Sequence, residues 1–346
     1  MIIRGLFYDN LGIARAIIQS KDKVYDTAFD IERKMGWCSC ASYVFNKKPC
    51  KHIIHLIMNV DKNKMKKKSD LNRLKSGCEI IDDLLGGGIP YGIVTGIHGK
   101  PMAGKSIFTY QIGVANLNES ADKTLYIDTE GIREDDIRGL LYKFGERFDV
   151  SKETIDKRFD IITTLGDSTL KSYQKLFKMF GVMAKIEQSS GGKYTPKFEF
   201  SAPILDKKKL EQYSMIIIDS FSKPMKDSVG TNTANLPARS QLQERLFGII
   251  SHIAVEYNIA IIINHHTSRN PTMPFGVDFG QPIGGDSIIY NTKYVLEFWD
   301  ATNKIKKDSG FELEARRVKL IRHPVKQLDN EWRVVRLKND YGYTDE

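Results

Sequence analysis

Gly99-Lys100-Pro101-Met102-Ala103-Gly104-Lys105-Ser106, followed by Ile107, fits the pattern G-x-x-x-x-G-K-[ST]. Ahead of it, Gly92-Ile93-Val94-Thr95-Gly96-Ile97 is a short β-branched run that reads as a buried strand. Behind it, Ile107-Phe108-Thr109-Tyr110-Gln111-Ile112 opens a helical pattern. Strand, glycine loop and helix in that order are the setting this pattern needs. Backbone N–H groups of such a loop and of the helix start converge on the β- and γ-phosphates of a nucleotide. Lys105 adds a point charge there, and the Ser106 hydroxyl is placed for Mg²⁺. Residues 99–107 therefore predict a nucleoside triphosphate site, with ATP and Mg²⁺ as its ligands.

Further along the chain, apolar strand candidates alternate with helical stretches. The strands are Ile93–Ile97, Thr124–Ile127, Asp160–Thr163, Met215–Ile218, Ala260–Ile263 and Tyr294–Phe298; Asp135–Phe144 and Ser240–Tyr257 are helix-like. Several strands are unbroken apolar runs, which suits a parallel sheet buried on both faces. This is the α/β pattern. From Glu312 the segments lengthen and alternate: Ala315–Arg322 and Glu331–Leu337 predict an antiparallel edge. The basic Gln188–Lys209 stretch reads as a tolerated insertion between a helix and a strand.

The chain has 346 residues, a net charge of +9 and a pI near 9.1. That balance weakly favours polyanionic partners. No apolar run reaches membrane-span length and the start lacks a signal-peptide pattern, so an intracellular protein, cytoplasmic or nucleoid-associated, is expected. Asp61-Lys62-Asn63-Lys64-Met65-Lys66-Lys67-Lys68-Ser69-Asp70 carries no apolar periodicity and reads as an exposed linker, either a solvated spacer or a nucleic-acid contact. It divides a small unit at 1–60 from a larger one at 71–346.

The small unit holds Cys38-Ser39-Cys40 and Cys50-Lys51-His52. Three thiolates and an imidazole make a closed tetrahedral set for structural Zn²⁺, with no position left for water. This C-x-C…C-x-H cluster resembles the SWIM zinc finger. Gly12–Ile18 is expected as a helix before it and Val24–Ala28 as a strand. The resemblance implies recognition of DNA or of a protein partner.

Ser214–Ser220 is an apolar strand ending in Asp219, and Leu125-Tyr126-Ile127 runs into Asp128-Thr129-Glu130-Gly131. An Asp at such a strand end orders the water shell of a metal, and a Glu can orient and deprotonate attacking water. Either residue can equally be a turn or cap residue. Leu74–Pro90, Tyr126–Gly131, Leu236–Gln241, Ile263–His266 and Pro282–Gly285 stand in an order that resembles the RecA/RadA recombinase ATPases, above all the archaeal members. That likeness implies a RecA-like core. It assigns Glu130 to water, Asp219 to the metal shell, and His265, where the family has a polar sensor, to the γ-phosphate. It also implies two loops facing DNA, roughly Phe221–Asn235 and Thr267–Gln281. Lys223, Lys226, Arg239, Arg269 and Phe275 are their candidate contacts.

Departures from the family pattern are informative. The zinc module stands where those recombinases carry a helix-hairpin-helix domain, and the linker lacks their Phe-x-x-Ala clip for the next subunit. Lys319 and Arg322 replace an acidic cap and are expected to reach a neighbouring subunit's γ-phosphate, or to sit on a solvated strand face. The expectation is a DNA-dependent ATPase in recombination or repair, as a homo-oligomeric recombinase paralogue or as a mediator docked on a recombinase by its zinc module. A KaiC-like or ring-forming ATPase acting on protein is the alternative.

Overall fold

The computed structural model describes residues 2–8, 13–20, 23–30, 35–40, 50–53, 72–166, 169–189, 192, 194–230, 233–268, 281–282, 291–326, 328, 331–338 and 340–346. The chain divides into two compact units, Met1–Met65 and Lys66–Glu346.

The first unit is an antiparallel meander of β1 (Ile2–Tyr8), β2 (Ile13–Ser20), β3 (Lys23–Asp30) and β4 (Met35–Cys38) in that spatial order. The stretch expected as a helix is thus the strand β2. Ile13, Ile17 and Ile18 are β-branched, and the strand is paired on both sides, with β1 (Ile3↔Ile18) and with β3 (Ile18↔Tyr25). A central strand gains two ladders, which outweighs the helical preference of its alanines. The expected strand Val24–Ala28 lies inside β3.

The second unit opens with the short pair β5 (Arg73–Leu74) and β6 (Ile89–Pro90), which brackets α1 (Glu79–Leu84). Then come β7 (Val94–Gly99), α2 (Lys105–Glu119), β8 (Lys123–Asp128), α3 (Glu134–Arg147), α4 (Lys152–Arg158) and β9 (Phe159–Thr163). After α5 (Ser172–Met179), β10 (Val182–Gln188) and β11 (Tyr194–Phe200) form a separate hairpin. The segment expected as an insertion, Gln188–Lys209, thus contributes the second strand of this hairpin, with the exposed Lys185–Glu199 and Lys197–Glu187 pairs lying across the two strands. The chain continues through α6 (Lys207–Leu210), β12 (Tyr213–Asp219), α7 (Lys223–Val229), α8 (Leu236–Tyr257), β13 (Ala260–Ser268) and β14 (Gln281–Pro282). It closes with β15 (Tyr294–Asp300), α9 (Asn303–Ser309), β16 (Ala315–Arg322), β17 (Arg333–Lys338) and β18 (Gly342–Thr344).

The main sheet runs β18-β17-β16-β15-β7-β13-β12-β8-β9, with β14 paired to β13. Strands β15, β7, β13, β12, β8 and β9 are parallel to their neighbours in this stretch, and β16 to β18 add an antiparallel edge. Every residue of β12 is buried. Its Met215 and Ile217 join Ile262 in the core beneath α2, while Ile216 and Ile218 join Ile261 and Ile263 in the core beneath α5 and α8. Each fully buried isoleucine contributes roughly 2 kcal/mol. This two-sided burial explains the absence of polar alternation in these strands.

A buried polar knot fixes α2 on the sheet. Asn116 donates to the hydroxyl oxygens of Thr124 and Ser214, at 2.9 Å each, and accepts from Tyr91 at 2.7 Å. With every group paired, the knot sets the register of helix against strands at little desolvation cost.

Candidate nucleotide site and zinc centre

The parallel strands end together, which is where open α/β sheets place their ligands. In register, Asp219 lies beside Asp128, and His266 beside Gly99. The strand ends are tied laterally. Thr129 N–H donates to Asp219 O and the Thr129 hydroxyl to Ser220 O, both at 2.8 Å, and Phe221 N–H donates to Asn264 O at 2.8 Å. These ties carry the edge from β8 across β12 to β13.

The glycine loop leaves β7 at Gly99, whose φ of 151° and closeness to the Phe298 carbonyl leave no room for a side chain. Gly104 caps α2 in the left-handed region (φ 86°) with no side-chain cap, so the first helical N–H groups face the loop. A Cβ on Gly104 would meet the Tyr343 hydroxyl at 2.5 Å. Lys105 is 6% exposed, and its Nζ donates to Gly99 O and Lys100 O at 2.9 and 2.8 Å. Burial lowers its pKa, while the carboxylates of Asp219 and Glu130 draw it back up. Met102 at the loop tip is exposed, and Lys100 Nζ sits 4.3 Å above the Trp299 ring.

Asp219 is buried. Burial pushes its carboxyl pKa up, against the pull of the Ser106 and Tyr126 hydroxyls, and Tyr126 donates to its Oδ2 at 2.8 Å. Ser106 and Asp219 thus face one another across the start of α2, an oxygen pair suited to a hard divalent cation. Glu130 follows one turn beyond β8. The Asp128 carboxylate accepts from Glu130 N–H at 3.0 Å and from Gly131 N–H at 2.9 Å, which fixes the backbone beneath the Glu130 side chain.

The histidine that reaches this carboxylate is His266, which the sequence reading passed over: its Nε2 lies 2.5 Å from Glu130 Oε1. That bond holds Glu130 below the usual carboxylate range, against the opposing effect of burial. His265 is 2% exposed, sits 5.3 Å edge-on to Phe221, and its ring nitrogens meet no hydrogen-bond partner among the described residues. Alternation along β13 sets the two rings on opposite faces. Asn264 and His266 share the face of Ile262 toward α2, and His265 shares that of Ile263 toward α8.

Of the expected DNA-facing residues, Lys223 and Lys226 lie on α7, a helix rather than an open loop, and Lys223 pairs with Asp227 at 2.8 Å. Arg239 is buried in the first turns of α8, where burial lowers its pKa; it offers no surface charge in this conformation. Arg269 and Phe275 lie outside the described residues, although Thr267↔Pro282 and Ser268↔Gln281 pair at the base of their segment. Lys319 and Arg322 lie on β16, with Lys319 and Arg317 both near the Trp332 ring.

In the first unit, the ligand atoms of Cys38, Cys40, Cys50 and His52 all lie within 4.8 Å of one another, and all four residues are buried. Thiolates bound tetrahedrally at about 2.3 Å from zinc stand about 3.8 Å apart, so the cluster fits that ion. Thr27, opposite Cys38 in the β3–β4 ladder, donates to its sulfur at 3.7 Å, and Tyr25 stacks on the His52 ring at 4.2 Å. These contacts orient the donor set from outside.

Comparison with known proteins agrees with both halves. The SWIM zinc finger family model matches residues 34–60, and the KaiC ATPase family model matches residues 74–189. A DNA repair and recombination protein RadB from Methanococcoides burtonii is 24% identical over 225 residues, covering 65% of this chain and 82% of that protein. A meiotic recombination protein DMC1 homolog from Arabidopsis thaliana is 22% identical over 265 residues, covering 71% and 68%. The crystal structure of the RadB recombinase superposes with a TM-score of 0.54 at 20% identity, over 79% of this chain and 99% of that one. The larger unit therefore shares the fold of the RadB recombinase and is similar in sequence to RadB and DMC1 proteins, and the segment ahead of it is similar to SWIM zinc fingers. No described helix is long and apolar enough to cross a membrane.

Proposed function

We propose that this RecA/RadA-related ATPase is an Mg²⁺-dependent, DNA-directed enzyme of recombination or repair, acting as a recombinase paralogue or as a mediator. One observation carries the reading: Lys105, Ser106, Asp219 and Glu130 converge at the same sheet edge from which the 267–282 segment leaves.

In this reading residues 99–107 cradle the triphosphate through backbone N–H groups, and Lys105 exchanges its loop carbonyls for phosphate oxygens. Ser106 and Asp219 would hold Mg²⁺, which neutralises charge on those oxygens. The buried Asp219 gains most from a cation, because desolvation penalises it when unpaired. Glu130 orients the attacking water and takes its proton. Lys319 and Arg322 are assigned to a neighbouring copy's phosphate, in a homo-oligomer. Residues 1–60 form the recognition module, 61–70 a basic linker and 71–346 the ATPase domain. The module's zinc does no chemistry, since its four protein ligands close the coordination sphere.

The deciding experiment measures ATP turnover alone, with single-stranded DNA and with duplex, using Lys105→Ala as the blank. Stimulation by DNA is expected. Turnover indifferent to both forms would replace this reading with that of a protein-directed ATPase, in keeping with the KaiC family match to the shared core.

A further inference from the structure

His266 stands at a junction. It pairs in register with Gly99, the first residue of the phosphate loop, and the β13–β14 ladder that closes the 269–280 segment begins at the next residue. Its ring reaches sideways to Glu130 Oε1 at 2.5 Å, with the two side chains about equally exposed, 30% and 28%. The Glu130 backbone is held by Asp128, so the side-chain torsions are its remaining freedom, and His266 fixes those.

A carboxylate that orients water must present a free oxygen to it. Here Oε1 is held by an imidazole, so the bond fixes the direction in which the remaining oxygen, Oε2, points. The same bond weakens Glu130 as a base. The other cations near Glu130, Lys223 and Lys105, act on it electrostatically; Lys223 is engaged by Asp227 and Lys105 by the loop carbonyls. His266 alone among the described residues makes a side-chain hydrogen bond to Glu130.

We infer that His266 is a positioning residue that clasps Glu130 in the resting chain and restrains its carboxylate from turning to the attacking water. The inference rests on the reading of Glu130 as the residue that orients water.

The test compares steady-state ATP turnover of the full chain with His266→Ala, His266→Gln and Glu130→Gln, alongside the affinity of each for a fluorescent ATP analogue. Loss of the ring should raise kcat without DNA roughly 3- to 10-fold, the scale of one part-exposed hydrogen bond. KM and analogue affinity should be unchanged. His266→Gln, whose amide can still donate to the carboxylate, should restore the low rate; a side chain needed only for packing would show no such rescue. An Ala variant at or below the wild-type rate overturns the clasp, as does a Gln variant as fast as Ala. A Glu130→Gln variant that turns over like wild type refutes the Glu130 assignment itself, and the clasp with it.

Discussion

Lys105 shows how a single side chain can be costly to bury and still be retained. Its ammonium is desolvated beneath the loop, yet two backbone carbonyls accept its protons and two carboxylates face it. Lys105→Ala should reduce ATP turnover roughly 100-fold or more, the scale seen when one preorganised charged or donor group is lost. The fold should survive, because alanine is the best helix former and the position opens α2. Unchanged turnover in a variant with a normal circular dichroism spectrum would remove Lys105 from the site. Legibility at this scale was uneven. The loop residues are local in sequence and could be read directly. The choice between His265 and His266 depends on which face of β13 meets α2, and adjacent identical residues carry no sign of that. Arg239 looked like a surface cation because its helix is amphipathic only once its neighbours are known.

Among elements, β18 does more than its three residues suggest. The Tyr343 hydroxyl donates to Ala103 O in the phosphate loop at 2.5 Å, and its ring lies edge-on to Phe108 and Phe298. Its backbone N–H donates to Gln111 of α2 at 2.6 Å. Just beyond the strand, Asp345 accepts from the Glu79 and Ile80 N–H groups at the start of α1. Tyr343→Phe keeps the packing and removes the one hydrogen bond to the loop. ATP affinity should fall about 3- to 10-fold with the melting temperature nearly unchanged, measured by titration calorimetry and thermal unfolding. An affinity equal to wild type would show that the loop sets itself. The central strands β12 and β13 were legible because burial on both faces writes itself as a continuous isoleucine-rich run, whereas β9 at the sheet edge is only half-buried. Strand β2 is not legible from its own composition because its pairing with β1 and β3 decides it. Zinc ligation is the firmest case at this scale, since four ligands fall within fifteen residues. Cys50→Ala should abolish stoichiometric zinc by elemental analysis and loosen residues 1–60 while ATP turnover persists; retained zinc would point to a different ligand set.

For the whole molecule, acid should be a selective stress. His98 and His265 are paired in register on β7 and β13, both buried, with ring nitrogens that find no hydrogen-bond partner among the described residues. Burial lowers their pKa values to about 4 and about 3, from 6.5 when exposed. The unfolded chain therefore binds these protons first. The stability owed to two neutral rings is fully present above pH 6.5 and is lost as pH falls toward 4. Each ring contributes a slope of about 1.4 kcal/mol per pH unit in that window. Urea unfolding at pH 7 and pH 5 should show the loss, and His98→Leu should make the pH dependence shallower. An identical slope in the variant would place the titrating groups elsewhere. No local pattern announces such a pair, because it forms only when two distant strands become neighbours.

The tie between Tyr343 and Ala103 spans 240 residues. A ribosome has therefore released the phosphate loop long before it makes the strand that braces it. Until then the loop emerges without its brace, and the nascent chain should hold ATP poorly. Early capture of ATP cannot then serve as a template for the core. A truncated or stalled chain ending before residue 342 would carry every residue of the nucleotide motif and still bind ATP less tightly, so competence waits for a strand far from the motif in sequence.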